Sequence, residues 1–149
     1  FNPFFFINYI VHMYKLELVG SEVPAKKNSR ITLKNGKTIP STRYKAWHEE
    51  AVLQLRSKVK ECIEDKCYVI LVFTHGDNIR RDSDNGVSSV FDTLQDVQQL
   101  ADDRWQIVRS HHVFNTFDKG NPKCEIYIFK PEENKCYIEV LSQCLELYS

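Results

Sequence analysis

The sequence has no excess of either charge: 20 Lys and Arg stand against 20 Asp and Glu. It has no internal repeat and no low-complexity stretch. It has no CxxC pair and no Cys/His spacing of a zinc site, which argues against a structural zinc module. Its five cysteines are an odd number, so the expected state is free and mostly buried thiols in a reducing cytoplasm. Nothing in it resembles a cleavable signal peptide. The apolar opening run, residues 1–12 (FNPFFFINYIVH), is too short to span a bilayer and lacks a basic flank. The expected account of that run is an in-frame extension ahead of a start at Met13, with no membrane role; a membrane or partner anchor is the alternative. What remains, residues 13–149, is of a length that most simply folds as one domain around its own core.

Overall neutrality hides a local imbalance. Residues 24–60 carry ten basic side chains against two acids, Glu49 and Glu50, whereas residues 131–149 carry four acids against Lys135. The field that a polyanion meets is local, so zero net charge excludes no such partner. A solvated basic face reads the same way at this level.

Period-two alternation in YKLELVG, after Met13, predicts a half-buried strand. RITLKNGKTI predicts a short hairpin about Asn35-Gly36. Ser41 is a ready N-cap for a helix reaching about Lys60, in which Tyr44, Trp47, Ala51, Leu55 and Val59 form the apolar stripe. That spacing favours a core role for Tyr44 and Trp47 over a base-stacking one. CYVILVFTH, residues 67–75, is continuously β-branched and aromatic, the pattern of a strand buried on both faces. A second helix is expected from about Asn85 to Gln95, with Val87, Val90, Phe91 and Leu94 inward; Gly86 at its start permits close backbone approach. WQIVRSHHVFN and CEIYIFK are expected to form a hairpin through a turn at Gly120-Asn121-Pro122. The last segment, CYIEVLSQCLELYS, fits a strand or a helix, with a lean to helix. The sum is an α+β fold: a small, mostly antiparallel sheet with two main helices packed on one side.

The chemistry concentrates in RRDSDN, residues 80–85. In an extended segment Asp82 and Asp84, at i and i+2, point the same way. If the strands either side of the second helix are neighbours, Asp103 can fold back beside them. Three close carboxylates repel unless a cation sits among them. Their hard oxygens suit Mg²⁺ or Mn²⁺, which can activate water at a phosphodiester. Arg80 and Arg81 would then clamp phosphate. The plainer account is that Asp84 caps the second helix and Asp102-Asp103 make a polar turn. An EF-hand is excluded, because Gly86 falls at loop position five and Thr93 at position twelve. Adjacent His111 and His112 point to opposite faces of a strand and are poorly set to chelate one metal.

From VPAKKNSR through IPSTRYKAWHEEAVLQL, RRDSDN with FDTL, and DDRWQIV, the chain resembles the RusA family of Holliday-junction resolvases, over about residues 13–130. The resemblance implies a homodimer that binds four-way DNA junctions and nicks them symmetrically with Mg²⁺ (or Mn²⁺), in DNA recombination and repair. By position, Asp82, Asp84 and Asp103 match the family's catalytic metal-binding aspartates. Arg81 matches a basic DNA contact, with Arg80 beside it, and Asn85 the residue that follows the second aspartate. The PAKKNSR segment matches the substrate-binding loop, so Lys26, Lys27, Asn28 and Arg30 are DNA-contact candidates. One departure bears on activity: the family's helix lysine, four residues after the second aspartate, is Ser88 here. Serine cannot neutralise a phosphate, so a slow or non-catalytic junction binder is the alternative expectation.

Overall fold

The run CYVILVFTH has no polar face, and it occupies the interior accordingly. In the computed structural model, which describes residues 14–26 and 30–148, it forms β4 (Cys67–His75), with Cys67 to Thr74 buried apart from Tyr68. The other strands of the main sheet are β1 (Tyr14–Val19), β5 (Val108–Phe117) and β6 (Lys123–Phe129), in the order β1-β6-β4-β5. β6 is antiparallel to both β1 and β4, while β4 and β5 run parallel. The expectations for residues 1–12, Lys27 and Asn28 fall outside the described residues.

Two helices cover one face of this sheet. Helix α1 (Thr42–Arg56) begins at Ser41, whose hydroxyl accepts from the Tyr44 amide at 3.1 Å, so the cap read from sequence is made. It ends four residues before Lys60, and the chain then carries Ile63 across to bridge Leu100. Helix α2 (Val87–Asp96) buries Val90, Phe91 and Leu94. These helices pack with Leu16, Leu18, Val69, Leu71, Phe73, Ile126 and Ile128 in one apolar cluster, against which Trp47 rests. Tyr44 is buried as well, so the aromatic pair of α1 serves the core. Helix α3 (Asn134–Tyr148), preceded by a short 3₁₀ turn (Pro131–Glu133), covers the opposite face, where Cys136, Val140 and Cys144 meet Ile70, Val72, Tyr127 and Phe129. The molecule is therefore α+β with two helices on one side, and the C-terminal segment is a helix that closes the other.

One expectation is corrected. The strands either side of Gly120-Asn121-Pro122 do not pair with each other, because β4 lies between them. The turn passes over the end of β4 instead: the Gly120 amide donates to the Gly76 carbonyl at 2.8 Å and the Asp118 amide to that of His75 at 3.0 Å. The most apolar strand takes the centre because only there are both of its faces covered. His111 and His112 do diverge: the ring of His111 meets Phe91 of α2, and His112 Nδ1 meets the Tyr137 hydroxyl of α3.

A Cβ on Gly86 would lie 2.8 Å from Phe73 Cε1 and 2.9 Å from Val23 Cγ1, so the close approach expected of this glycine is present. Gly86 is the cap residue of α2, a position where glycine is preferred over alanine, so no gain in helix propensity opposes the clash. Overpacking a filled core costs about 1–3 kcal/mol. Gly86→Ala is therefore expected to lower stability by about 1–3 kcal/mol in urea unfolding at neutral pH. A rise in stability would show that the β4–α2 seam yields.

Candidate metal and phosphate site at the carboxyl end of strands β4 and β5

In a parallel strand pair the loops that follow the two strands lie at one end of the sheet, the carboxyl end. Here the loop of residues 76–86 leaves β4, passes the carboxyl end of β5 and enters α2. An open cleft lies at that end, lined by His75, Asp77, Arg81, Asp82, Asn115 and Phe117 among others.

The floor of the cleft is held by Glu22. Its carboxylate accepts from the Gly76 amide at 2.7 Å and lies 3.0 Å from His75 Nδ1. His75 Nε2 faces Asn115 Oδ1 at 2.8 Å, and the Asn115 amide donates to the Ser83 carbonyl at 3.1 Å. The loop is thus tied both to the β1–α1 connection and to β5. Arg81 closes the other side with a two-pronged ion pair to Asp77, at 2.6 and 3.0 Å, and Nε 3.9 Å from Glu22. The Arg81 hydrogen bonds, aided by the Ile79 amide, hold the Asp77 carboxyl down at about 2. Arg81 is therefore committed to the loop, not projected free as a phosphate clamp. Arg80 is exposed and has no ion-pair partner among the described residues.

Asp82 and Asp84 are exposed, and neither carboxylate has a hydrogen-bond or ion-pair partner among the described residues. They are not in an extended run. The Asn85 amide donates to the Asp82 carbonyl at 3.1 Å and the Val87 amide to that of Asp84, so the pair rides on consecutive turns. The i, i+2 argument for a shared side consequently does not apply. The capping alternative also fails for Asp84. The cap residue of α2 is Gly86, with no side-chain cap, and Asp84 keeps both carboxylate oxygens available.

Asp103 is elsewhere. Strands β4 and β5 are neighbours, as anticipated, but they are parallel: Cys67 is level with Val108 and Phe73 with Asn115. Asp103 precedes β5, near the Cys67 end, while Asp82 and Asp84 follow β4 at the other end. Six strand residues separate those levels, roughly 20 Å. One chain therefore does not bring the three aspartates together. The crossover helix returns the chain to the starting end of the sheet before Asp103 is reached. At that end the plainer reading holds, since Asp102 Oδ1 accepts from the Asp103 amide at 2.7 Å.

Of the remaining candidates, Lys26 is bound inward. Its ammonium sits 3.0 Å from Asp92 Oδ1, its amide donates to Ser89 Oγ, and Ser89 Oγ donates to the Pro24 carbonyl. The Tyr44 hydroxyl donates to the second Asp92 oxygen at 3.0 Å. Arg30 is exposed at the start of a small hairpin, Asn85 is half-buried, and Ser88 is exposed on the first turn of α2. Sequence reading missed the seam between α1 and α2. His48, Asp92 and Asp96 place one ligand-type atom each within 4.8 Å of one another. That group could hold a metal, but its atoms already have partners: Lys26 and Tyr44 on Asp92, and His48 Nε2 on Asp96 at 2.6 Å. Asp92 and Asp96 stand one helical turn apart, a spacing visible in sequence; that His48 of α1 faces them is not.

No protein-family model matches the chain, and no curated protein matches it.

Burial pushes the Asp92 carboxyl up, but the hydrogen bonds from Lys26 and Tyr44 pull it below its usual range. A carboxyl depressed in the folded state stabilises above its unfolded value of about 3.9 and loses that contribution as pH falls through the folded value. Lys26→Met should destabilise by about 1 kcal/mol at pH 7, as a half-exposed charge-assisted contact does. It should also make the loss of stability between pH 5 and 3 (about the carboxyl range) shallower than in the wild type. Parallel pH curves for the two proteins would show that the contact is not felt.

Proposed function

We propose that this protein is a Mg²⁺-dependent, structure-selective DNA endonuclease of the RusA type, acting on four-way junctions. The observation that carries the reading is the pair Asp82 and Asp84: two carboxylates without partners among the described residues, on a loop braced by Glu22 at Gly76 and by the Arg81–Asp77 ion pair. Unpartnered acids on a braced loop are a fit for a hard cation that retains several waters and needs only one or two carboxylates. When bound, magnesium supplies a more acidic water and neutralises charge at a phosphodiester oxygen. Asp82 and Asp84 would hold it, and Mn²⁺ could take its place. Arg80 would bind the phosphate, while Arg81 would set the loop through Asp77 rather than touch DNA. Contacts of this kind fix a backbone in place without reading its sequence. A two-fold homodimer would offer equivalent centres to the two equivalent strands of a junction. Four buried cysteines fit work in a reducing cytoplasm. Among the described residues no helix is long and apolar enough to cross a membrane.

A second reading has its own support. Ser88 leaves α2 without a cation one turn above Asp84, and Asp103 precedes β5, at the opposite end of the sheet from the pair. Both favour a protein that binds junctions and cuts them slowly or not at all.

A synthetic mobile four-way junction incubated with Mg²⁺ or Mn²⁺ separates the two. Paired symmetric nicks are expected from the wild type, reduced by at least about 100-fold in Asp82→Asn, with junction affinity retained. Ser88→Lys, at an exposed helix position, should raise the nicking rate by about 10-fold or more. Tight binding without nicks in the wild type supports the second reading. Nicking that survives Asp82→Asn removes the proposed centre.

A further inference from the structure

The longest stretch of unopposed positive charge is borne on an element that contributes little to the core. Strands β2 (Arg30–Thr32) and β3 (Thr38–Pro40) form a separate two-stranded ribbon, with Arg30 level with Pro40, Ile31 with Ile39 and Thr32 with Thr38. Its turn is well made: the Leu33 amide donates to the Lys37 carbonyl at 2.8 Å, Asn35 Oδ1 accepts from the Lys37 amide, and Gly36 takes φ +82°. Every residue from Arg30 to Pro40 is exposed except half-buried Ile39. An isolated two-stranded hairpin is marginal in water, so a tight turn and a fixed base must hold it. The base is fixed on one side by Ser41, which caps α1. On the other side, the preceding chain is pinned to α2 through Lys26, Ser89 and Asp92.

From Arg30 to Lys45 there are five cations, Arg30, Lys34, Lys37, Arg43 and Lys45, and no acid. None of the five has an ion-pair partner among the described residues, although the chain as a whole is neutral. At the tip, Lys34 and Lys37 stand 12 residues or more along the chain from the nearest acid, whereas at the base Arg43 shares a hollow with Glu22 and Glu50, and Lys45 is one helical turn from Glu49. Strand alternation puts Ile31 and Leu33 on one side of the ribbon, where they are 45% and 40% exposed, and Arg30 and Thr32 on the other. A protruding basic β-ribbon with a small apolar side has the dimensions and charge that the major groove of duplex DNA accepts.

We propose that the β2–β3 ribbon enters a groove of one duplex arm of the bound DNA, with Lys34 and Lys37 on phosphates at its tip and Arg43 and Lys45 on phosphates at its base. This rests on the reading of the protein as DNA-binding and adds to it the element that grips the double helix. It moves the main grip away from Lys26 and Arg81, whose charges are already engaged.

The test is fluorescence anisotropy with a four-way junction and with a plain duplex, in 50–200 mM KCl (about the range over which phosphate contacts are resolved). Lys34→Ala/Lys37→Ala should weaken binding to both DNAs by about 10-fold at low salt and reduce the salt slope by about 2. Lys58→Ala/Lys60→Ala, which removes equal charge beyond the end of α1, should change neither. All four positions are exposed, and matching circular dichroism spectra will show that the variants fold. If the wild type has no salt-dependent affinity for either DNA, the DNA-binding reading fails and the ribbon proposal goes with it. If the wild type binds and both double variants bind equally well, or both lose affinity equally, the ribbon proposal alone is overturned. A ribbon variant that instead changes the oligomeric state overturns it in favour of a second copy as the occupant.

Discussion

Strand β4 is the constraint on which the rest of this molecule depends. Seven of the eight residues from Cys67 to Thr74 are almost fully removed from water, and all of these but Thr74 are apolar, on both faces. A strand of that kind cannot sit at an edge or face solvent on one side. It demands helices above and below, supplied by α1 and α2 on one side and by α3 on the other. It also demands a partner along each edge. Those partners are β6, antiparallel, and β5, parallel; the parallel pairing requires the long crossover that contains α2. The loop of residues 76–86 is the upper half of that crossover.

The polar groups of the cleft follow from this placement. A loop leaving a buried strand brings backbone amides to the edge of the core, where they need acceptors. Glu22 accepts from Gly76, Asn115 donates to Ser83, and Arg81 binds Asp77. The first two tie the loop to the β1–α1 connection and to β5, and the third closes the loop on itself. Asp82, Asp84 and Arg80 are left outside that network, charged and exposed. Charges that brace the loop and charges without a partner among the described residues thus stand within the single eight-residue run 77–84. Likewise Lys26 is bound by Asp92, whereas Lys34 and Lys37 of the β2–β3 ribbon have no ion-pair partner among the described residues.

The parallel pairing has a further consequence for chemistry. A crossover helix carries the chain from one end of the sheet to the other, so residues before and after it are separated by the length of the strands. Asp84 and Asp103 are on opposite sides of α2 and are parted for that reason. Any centre built on Asp82 and Asp84 within one chain draws its remaining ligands from water, from the cleft or from the bound phosphate.

The sequence by itself determined the local elements wherever a periodicity or a turn residue acted over a few neighbours. These include β4 from its unbroken β-branched run, the Ser41 cap, the Asn35-Gly36 turn, the apolar face of α2 and the tight seat of Gly86. The tertiary structure alone decided what depends on strand order and on facing surfaces. No local signal says that β4 separates β5 from β6, or that β5 is parallel to β4. Nor does any say that α3 crosses to the far face, or that Asp103 lies a sheet's length from Asp84. The same holds for which charges find partners. Arg80 and Arg81 are adjacent and chemically alike, yet only Arg81 meets Asp77 and Glu22, because the loop turns one of them inward and the other out.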